Sequence, residues 1–128
     1  MTCQTYHGSC HCGAIAFEAD IDLADGTTKC NCTWCLKNRY WSLAVPPDRF
    51  RALKGVAADA LTPARCSTCG VLTWARQAPT DWDPVEKVVI SVAALDDADP
   101  AALAEAPVRY CDGRHDNWWE APAEVRHL

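Results

Sequence analysis

Seven of the nine cysteines fall into three short groups: Cys10-His11-Cys12-Gly13, Cys30-Asn31-Cys32-Thr33-Trp34-Cys35 and Cys66-Ser67-Thr68-Cys69-Gly70. Spacings of one or two residues let two thiolates grip one ion. A zinc closed by protein takes four ligands, whereas a working zinc keeps one position open. The outer pairs, Cys10 and Cys12 with Cys66 and Cys69, add up to four and predict a closed, structural zinc. The central three, Cys30, Cys32 and Cys35, supply three corners and leave one free. An open zinc can hold a thiol as a thiolate at neutral pH, ready for an electrophile such as an aldehyde. It can also polarise the carbonyl itself. The residues leave both chemistries open. They also leave open a second closed site, completed by Cys3, Cys111, a histidine or an aspartate, and a loosely held metal on substrate-responsive thiols.

Cysteine-rich chains have two other common explanations, a disulfide scaffold and an iron–sulfur cluster. Against the first stand the odd count and the close pairing, since near neighbours do not easily bridge each other. Met1-Thr2-Cys3-Gln4-Thr5 has neither a basic start nor an apolar core, so no signal peptide is expected. Zinc on reduced thiols implies a reducing, cytoplasmic setting. The 128 residues carry a net charge of −5, which argues against nucleic acid as main partner. Hydrophobic content of 49% and charged content of 23% suit a soluble globular protein. No apolar run approaches the ~20 residues of a membrane span. The length predicts a single domain over residues 1–128.

The elements that must position these cysteines read as mainly β, with short strands and little helix. Thr5–Ser9 leads into the first pair as a short strand. Ala14–Ala19 follows it as a strand with Ile15 and Phe17 on one face. Cysteine pair, glycine, strand recurs at Cys66–Arg76, which predicts two knuckles whose pairs face each other. Asp20–Lys29, with Asp25-Gly26, reads as a turn or loop. Tyr40–Val45 reads as a strand stopped by Pro46-Pro47. Asp48–Gly55 reads either as a helical turn or as a turn followed by a strand. Ala57–Pro63 is weakly patterned. Glu86–Leu95, with Val88, Val89, Ile90 and Val92, is the strongest strand signal. Asp99-Pro100 opens a helical turn or two. Beyond Trp119 the pattern fades.

The three cysteine groups, in this order and spacing, resemble the glutathione-dependent formaldehyde-activating enzyme (GFA) family, which also contains centromere protein V (CENP-V). Val92–Asp97 and Asp112–Trp118 are similar to the centromere-protein-V-like branch. The resemblance implies a small zinc-stabilised β-sheet domain of Mss4-like (β-tent) architecture. It implies two zinc ions, a structural one on Cys10, Cys12, Cys66 and Cys69 and a catalytic one on Cys30, Cys32 and Cys35. The implied activity joins glutathione and formaldehyde into S-hydroxymethylglutathione, formally a carbon–sulfur lyase run in the synthetic direction. Many members carry histidine where Asn31 stands, and a Ser-Gly pair where Arg39-Tyr40 stands.

Glutathione has two carboxylates, so its site calls for Arg or Lys near the metal. Lys37, Arg39 and Arg65 are the candidates, with solvated surface charge as the alternative for each. Arg114–Asn117, beside Trp118 and Trp119, reads either as a wall folded over the zinc or as a self-pinned turn whose tryptophans fill core. Trp34 and Trp41 read as packing that dries the site. His7, His11 and His127 read as bystanders, and Cys3 and Cys111 as free thiols. Two functions besides the enzyme stay open: a non-catalytic zinc module that binds a protein partner, and a metal- or thiol-sensing protein.

Overall fold

The computed structural model describes residues 3–55 and 65–128. The weakly patterned Ala57–Pro63 lies outside them. Two β-sheets carry the chain, and among the described residues only two α-helices occur, each six residues long. The fold is mainly β, as the short Gly/Pro-bounded segments predict.

The first sheet is antiparallel and has three strands: β1 (Gln4–Ser9), β2 (Ala16–Ile21) and β5 (Phe50–Lys54), in the order β1-β2-β5. Phe17, Ala19 and Ile21 alternate along β2 into the core, while Glu18 and Asp20 face out toward Arg51. The second sheet has five strands: β3 (Thr27–Cys30), β4 (Trp41–Val45), β6 (Trp74–Gln77), β7 (Lys87–Ser91) and β8 (Val108–Cys111). Their order is β6-β7-β4-β3-β8, with β3 and β8 parallel and the rest antiparallel. Fully buried Val88 and Ile90 line one face of β7. Aromatic rings join the two sheets: Phe17 stacks on Phe50 at 5.6 Å, and Phe50 meets Trp74 at 4.6 Å.

Two sequence expectations need correction, one open alternative is settled, and one stretch without an expected element gains a strand. The segment 20–29 is not one loop. After a short 3-10 turn at Leu23–Asp25 the chain forms β3, an inner strand between β4 and β8. Asp48–Gly55 resolves in favour of a turn followed by a strand, with a 3-10 turn at Pro47–Arg49 leading into β5. The Val71–Arg76 strand begins only at Trp74, because Val71 and Leu72 still close the second knuckle. Val108–Cys111, to which the sequence pattern gave no element, forms β8, and a 3-10 turn at Gly113–His115 follows it.

The helices are placed by their caps. Helix α1 (Thr33–Asn38) begins where the Cys32 sulfur accepts the Cys35 N–H at 3.4 Å. It ends at Arg39, a non-glycine residue in the left-handed region with φ 48°. Helix α2 (Pro100–Glu105) starts as its sequence predicts, with the Asp99 carboxylate accepting the Ala101 N–H and Pro100 in the first turn.

Candidate metal centres and the clefts beside them

The two outer pairs converge. The Cys10, Cys12, Cys66 and Cys69 sulfurs all lie within 4.8 Å of one another. Cys10 to Cys12 is 3.7 Å and Cys12 to Cys66 is 3.5 Å. Four sulfurs at ~2.3 Å from a tetrahedral zinc stand about 3.8 Å apart, so these spacings fit such an ion. Both pairs use the same local device. The Cys10 N–H donates to the Ile15 carbonyl, and the Cys66 N–H to the Val71 carbonyl, each five residues on. Gly13 and Gly70 return N–H bonds to the Cys10 and Cys66 carbonyls, with φ of 81° and 79°. A side chain would strain that left-handed turn.

The central three also converge, with the Cys30, Cys32 and Cys35 sulfurs within 4.8 Å of one another. Cys30 ends β3, Cys32 caps α1, and Cys35 sits in the helix. The Cys32 N–H donates to the Cys30 sulfur at 3.3 Å, and the Cys35 N–H to the Cys32 sulfur at 3.4 Å. Sulfurs that accept backbone N–H groups are set up to carry negative charge. Three sulfur donors within reach of one ion, two of them backed by N–H groups, suit zinc.

On their own the clustered sulfurs cannot all ionise, and their titrations split. At Cys32 burial opposes ionisation, but the Cys35 N–H and neighbouring thiols win and lower its pKa. Burial, then the charge on Cys32 and Cys30, drives Cys35 up. In the outer cluster the Val71 N–H leads the forces that pull Cys69 down to about 6. The Ala14 N–H also pulls on Cys12, but Cys66, burial and the other thiols outweigh it and push Cys12 up to about 11. A divalent cation bound among such sulfurs deprotonates them together.

The tail lies against the central three. Strand β8 pairs in parallel with β3, which sets Cys111 beside Cys30. A side chain at Gly113 would meet the Cys30 sulfur and the Trp118 ring. Asn31, only 5% exposed, pins this tail: its amide donates to Asp112 at 2.8 Å, and its oxygen accepts the Arg114 N–H at 3.0 Å. The Asn31 bond is also the first cause holding the Asp112 carboxyl below the usual range. The tail is a self-pinned turn as well, with Asp112 and Asn117 bonded backbone to backbone. Its tryptophans do not fill core, since Trp118 is 46% and Trp119 86% exposed.

Two clefts open at the central cysteines. One, of about 260 Å³, is lined by Cys30, Cys35, Tyr40, Cys111 and Trp118, among others. The other, of about 120 Å³, is lined by Cys30, Cys35, Lys29, Arg39, Tyr40 and the terminal residues His127 and Leu128. Tyr40 borders both, and burial, then the charge at Cys35, pushes its hydroxyl up to about 12. Trp34 packs edge-on against Tyr40 at 5.2 Å, and Trp41 lies under the Lys29 ammonium.

The remaining candidates separate. Of the three predicted cations, Arg39 lines the smaller cleft. Arg65 instead ties Asn38 to the Gly70 carbonyl, bridging α1 to the second knuckle. Lys37 lines neither of these two clefts. Lys29 was not singled out, because its segment read as loop; its adjacency to Cys30 was the available signal. His127, read as a bystander, borders the smaller cleft. His7 pairs with Asp97 and Glu18. Cys3 and His11 are exposed.

Comparison with known proteins agrees with this architecture. A crystal structure of a Rhodobacter sphaeroides protein superposes with a TM-score of 0.57 at 25% sequence identity. The match covers 80% of this chain and 99% of that one. The family model described as glutathione-dependent formaldehyde-activating enzyme matches residues 5–112, well over half of the sequence. Membership ties the chain to glutathione-dependent aldehyde chemistry in general. No described helix is long and apolar enough to cross a membrane. With three cysteine groups, two converging sulfur clusters and a family match from β1 through β8, the chain belongs to the glutathione-dependent formaldehyde-activating enzyme family.

Proposed function

We propose that Cys30, Cys32 and Cys35 form the working centre of a carbon–sulfur lyase-type enzyme acting on a glutathione–aldehyde adduct. Cys10, Cys12, Cys66 and Cys69 form a purely structural zinc site. The observation that carries this reading is the difference between the clusters: one has four donors, and the other has three with clefts at its side. A zinc bound at the three cysteines would supply Lewis acidity and keep a substrate thiol deprotonated at neutral pH.

The reaction is an addition. A sulfur–carbon bond forms, the carbonyl π pair moves to oxygen, and that oxygen takes a proton; nothing is oxidised or reduced. The chain's part is to orient the partners and hold a proton where the oxygen needs it. Tyr40 borders both clefts and its hydroxyl stays protonated far above neutral pH, which makes it the candidate donor for the developing alkoxide. Trp118 and the Asn31-pinned tail wall the larger cleft and limit water.

Metal stoichiometry with and without glutathione tests the proposal. The zinc-loaded chain should hold two ions, of which only one responds to glutathione. Cys32→Ser should lose that one equivalent and the activity while keeping its fold. A protein that neither binds glutathione nor changes the rate of adduct formation rules the enzyme out. A stable protein complex without turnover would then favour the non-catalytic module.

A further inference from the structure

The smaller cleft has two cationic walls, and both are positioned by the elements that carry the central cysteines. Lys29 immediately precedes Cys30 on β3, and Arg39 immediately follows α1. Lys29 Nζ lies 5.2 Å from the Trp41 ring centroid, which fixes its direction. The two side chains converge on consecutive residues of the chain's own tail. Lys29 Nζ donates to the Leu128 backbone oxygen at 3.3 Å, and Arg39 Nη1 to the His127 carbonyl at 3.0 Å. Among the described residues, no aspartate or glutamate side chain lines this cleft. Two cations side by side therefore meet two consecutive backbone oxygens of the tail, in a place where a peptide carboxylate would fit. Arg39 holds its place at φ 48°, where glycine would be free of strain. A long cationic side chain kept at such a position calls for a use.

We propose that Lys29 and Arg39 form a carboxylate seat for the thiol peptide, occupied in this structure by the backbone oxygens of His127 and Leu128. The seat rests on the reading of the central cysteines as a glutathione site. A peptide carboxylate takes charge-assisted bonds from both cations at once, so an incoming one competes with the tail for the seat. The seat then sets specificity. It favours thiols that carry a carboxylate at peptide distance from sulfur over small neutral thiols.

The test uses the full chain with cobalt in place of zinc, so that a thiol reaching the three cysteines changes the visible absorption. Glutathione, its glycyl ethyl ester and 2-mercaptoethanol are titrated against the unaltered chain and against Lys29→Gln, Arg39→Gln and Arg39→Lys. Two cobalt ions per chain confirm that each variant is folded. Each Gln variant should weaken glutathione on the order of tenfold, in line with the loss of one charged hydrogen bond. The same variants should leave 2-mercaptoethanol within about twofold, and Arg39→Lys should retain most of the glutathione affinity. The ester should lose a similar factor against the unaltered chain and little against the Gln variants. Equal losses for glutathione and 2-mercaptoethanol, or no loss at all, overturn the seat alone. If no thiol alters the cobalt spectrum of the unaltered chain, the seat falls together with the glutathione reading.

Discussion

Gly113→Ala is a one-carbon test of whether the tail and the central cysteines form one unit. The added Cβ would lie 2.6 Å from two atoms of the Trp118 ring and 2.8 Å from the Cys30 sulfur. Gly113 is outside the left-handed region, so alanine suits its backbone and the effect is purely steric. Something must move, and the two neighbours differ in freedom. The Cys30 sulfur is buried and tied to the Cys32 N–H, whereas Trp118 is half exposed and held by one bond to Asp116 at 2.8 Å. Trp118 therefore swings outward first. Overpacking a filled site costs about 1–3 kcal/mol. An exposed ring with somewhere to go puts the cost toward the lower end, about 1–2 kcal/mol. Even 1.4 kcal/mol falling on the metal corresponds to a tenfold loss of affinity. Urea unfolding reads the first quantity, and zinc competition against a chromogenic chelator reads the second. The expected result is a modest drop in midpoint with one weakened zinc and one unchanged. Two zincs bound as tightly as before, or loss of the four-cysteine ion instead, would refute the packing argument.

Other expectations follow from the same contacts. Asn31→Ala removes both side-chain bonds that pin the tail and should cost about 1–3 kcal/mol by urea unfolding. Amide exchange across 112–117 should accelerate with it, while unchanged exchange would show that the tail's own bonds suffice. Cys66→Ser removes one of four converging sulfurs, and a structural zinc held there would contribute on the order of 10 kcal/mol to folding, comparable with a domain's whole stability. That variant should fail to fold by near-UV circular dichroism, in contrast to Cys32→Ser; a native spectrum would sink the structural role. The Asp97 hydrogen bond is the main cause raising the pKa of His7 above 6.5, with Glu18 adding to it. A raised folded pKa gives stabilisation that is full below pH 6.5 and lost as pH rises through the higher folded value. The stability gap between the unaltered chain and His7→Gln should therefore shrink from pH 6 to pH 8, and a gap that widens would contradict this sign.

The cysteine clusters were legible because each group's sulfurs are close in sequence. Spacing alone joins Cys30, Cys32 and Cys35, and the shared cysteine–glycine knuckle pointed Cys10 and Cys12 toward Cys66 and Cys69. The β character was legible from segments such as Glu86–Leu95, whose branched residues suit a buried strand. Strand β3 was not. Thr27–Cys30 is four residues long and lacks an apolar alternation, and it is a strand because β4 and β8 flank it. Losing β3 also hid Lys29. Helix α1 is too short for a helical period, and its cap is a cysteine sulfur rather than a usual capping oxygen. The wall over the central cysteines depends on a parallel pairing across some eighty residues, which no local pattern encodes.

That pairing also sets a schedule. During synthesis the three central cysteines emerge within six residues of one another and can collect a metal at once. The four-cysteine site must wait for Cys69. The wall waits longer still, for Cys111 and Trp118, roughly eighty residues after Cys35. At about 5–20 residues per second, the central thiols spend several seconds uncovered. Metal or oxidant reaching the nascent chain in that interval meets the three-cysteine cluster before the four-cysteine one exists. The quality of the finished protein thus depends on what the emerging chain encounters first, a dependence that refolding the complete polypeptide in a tube would not reproduce.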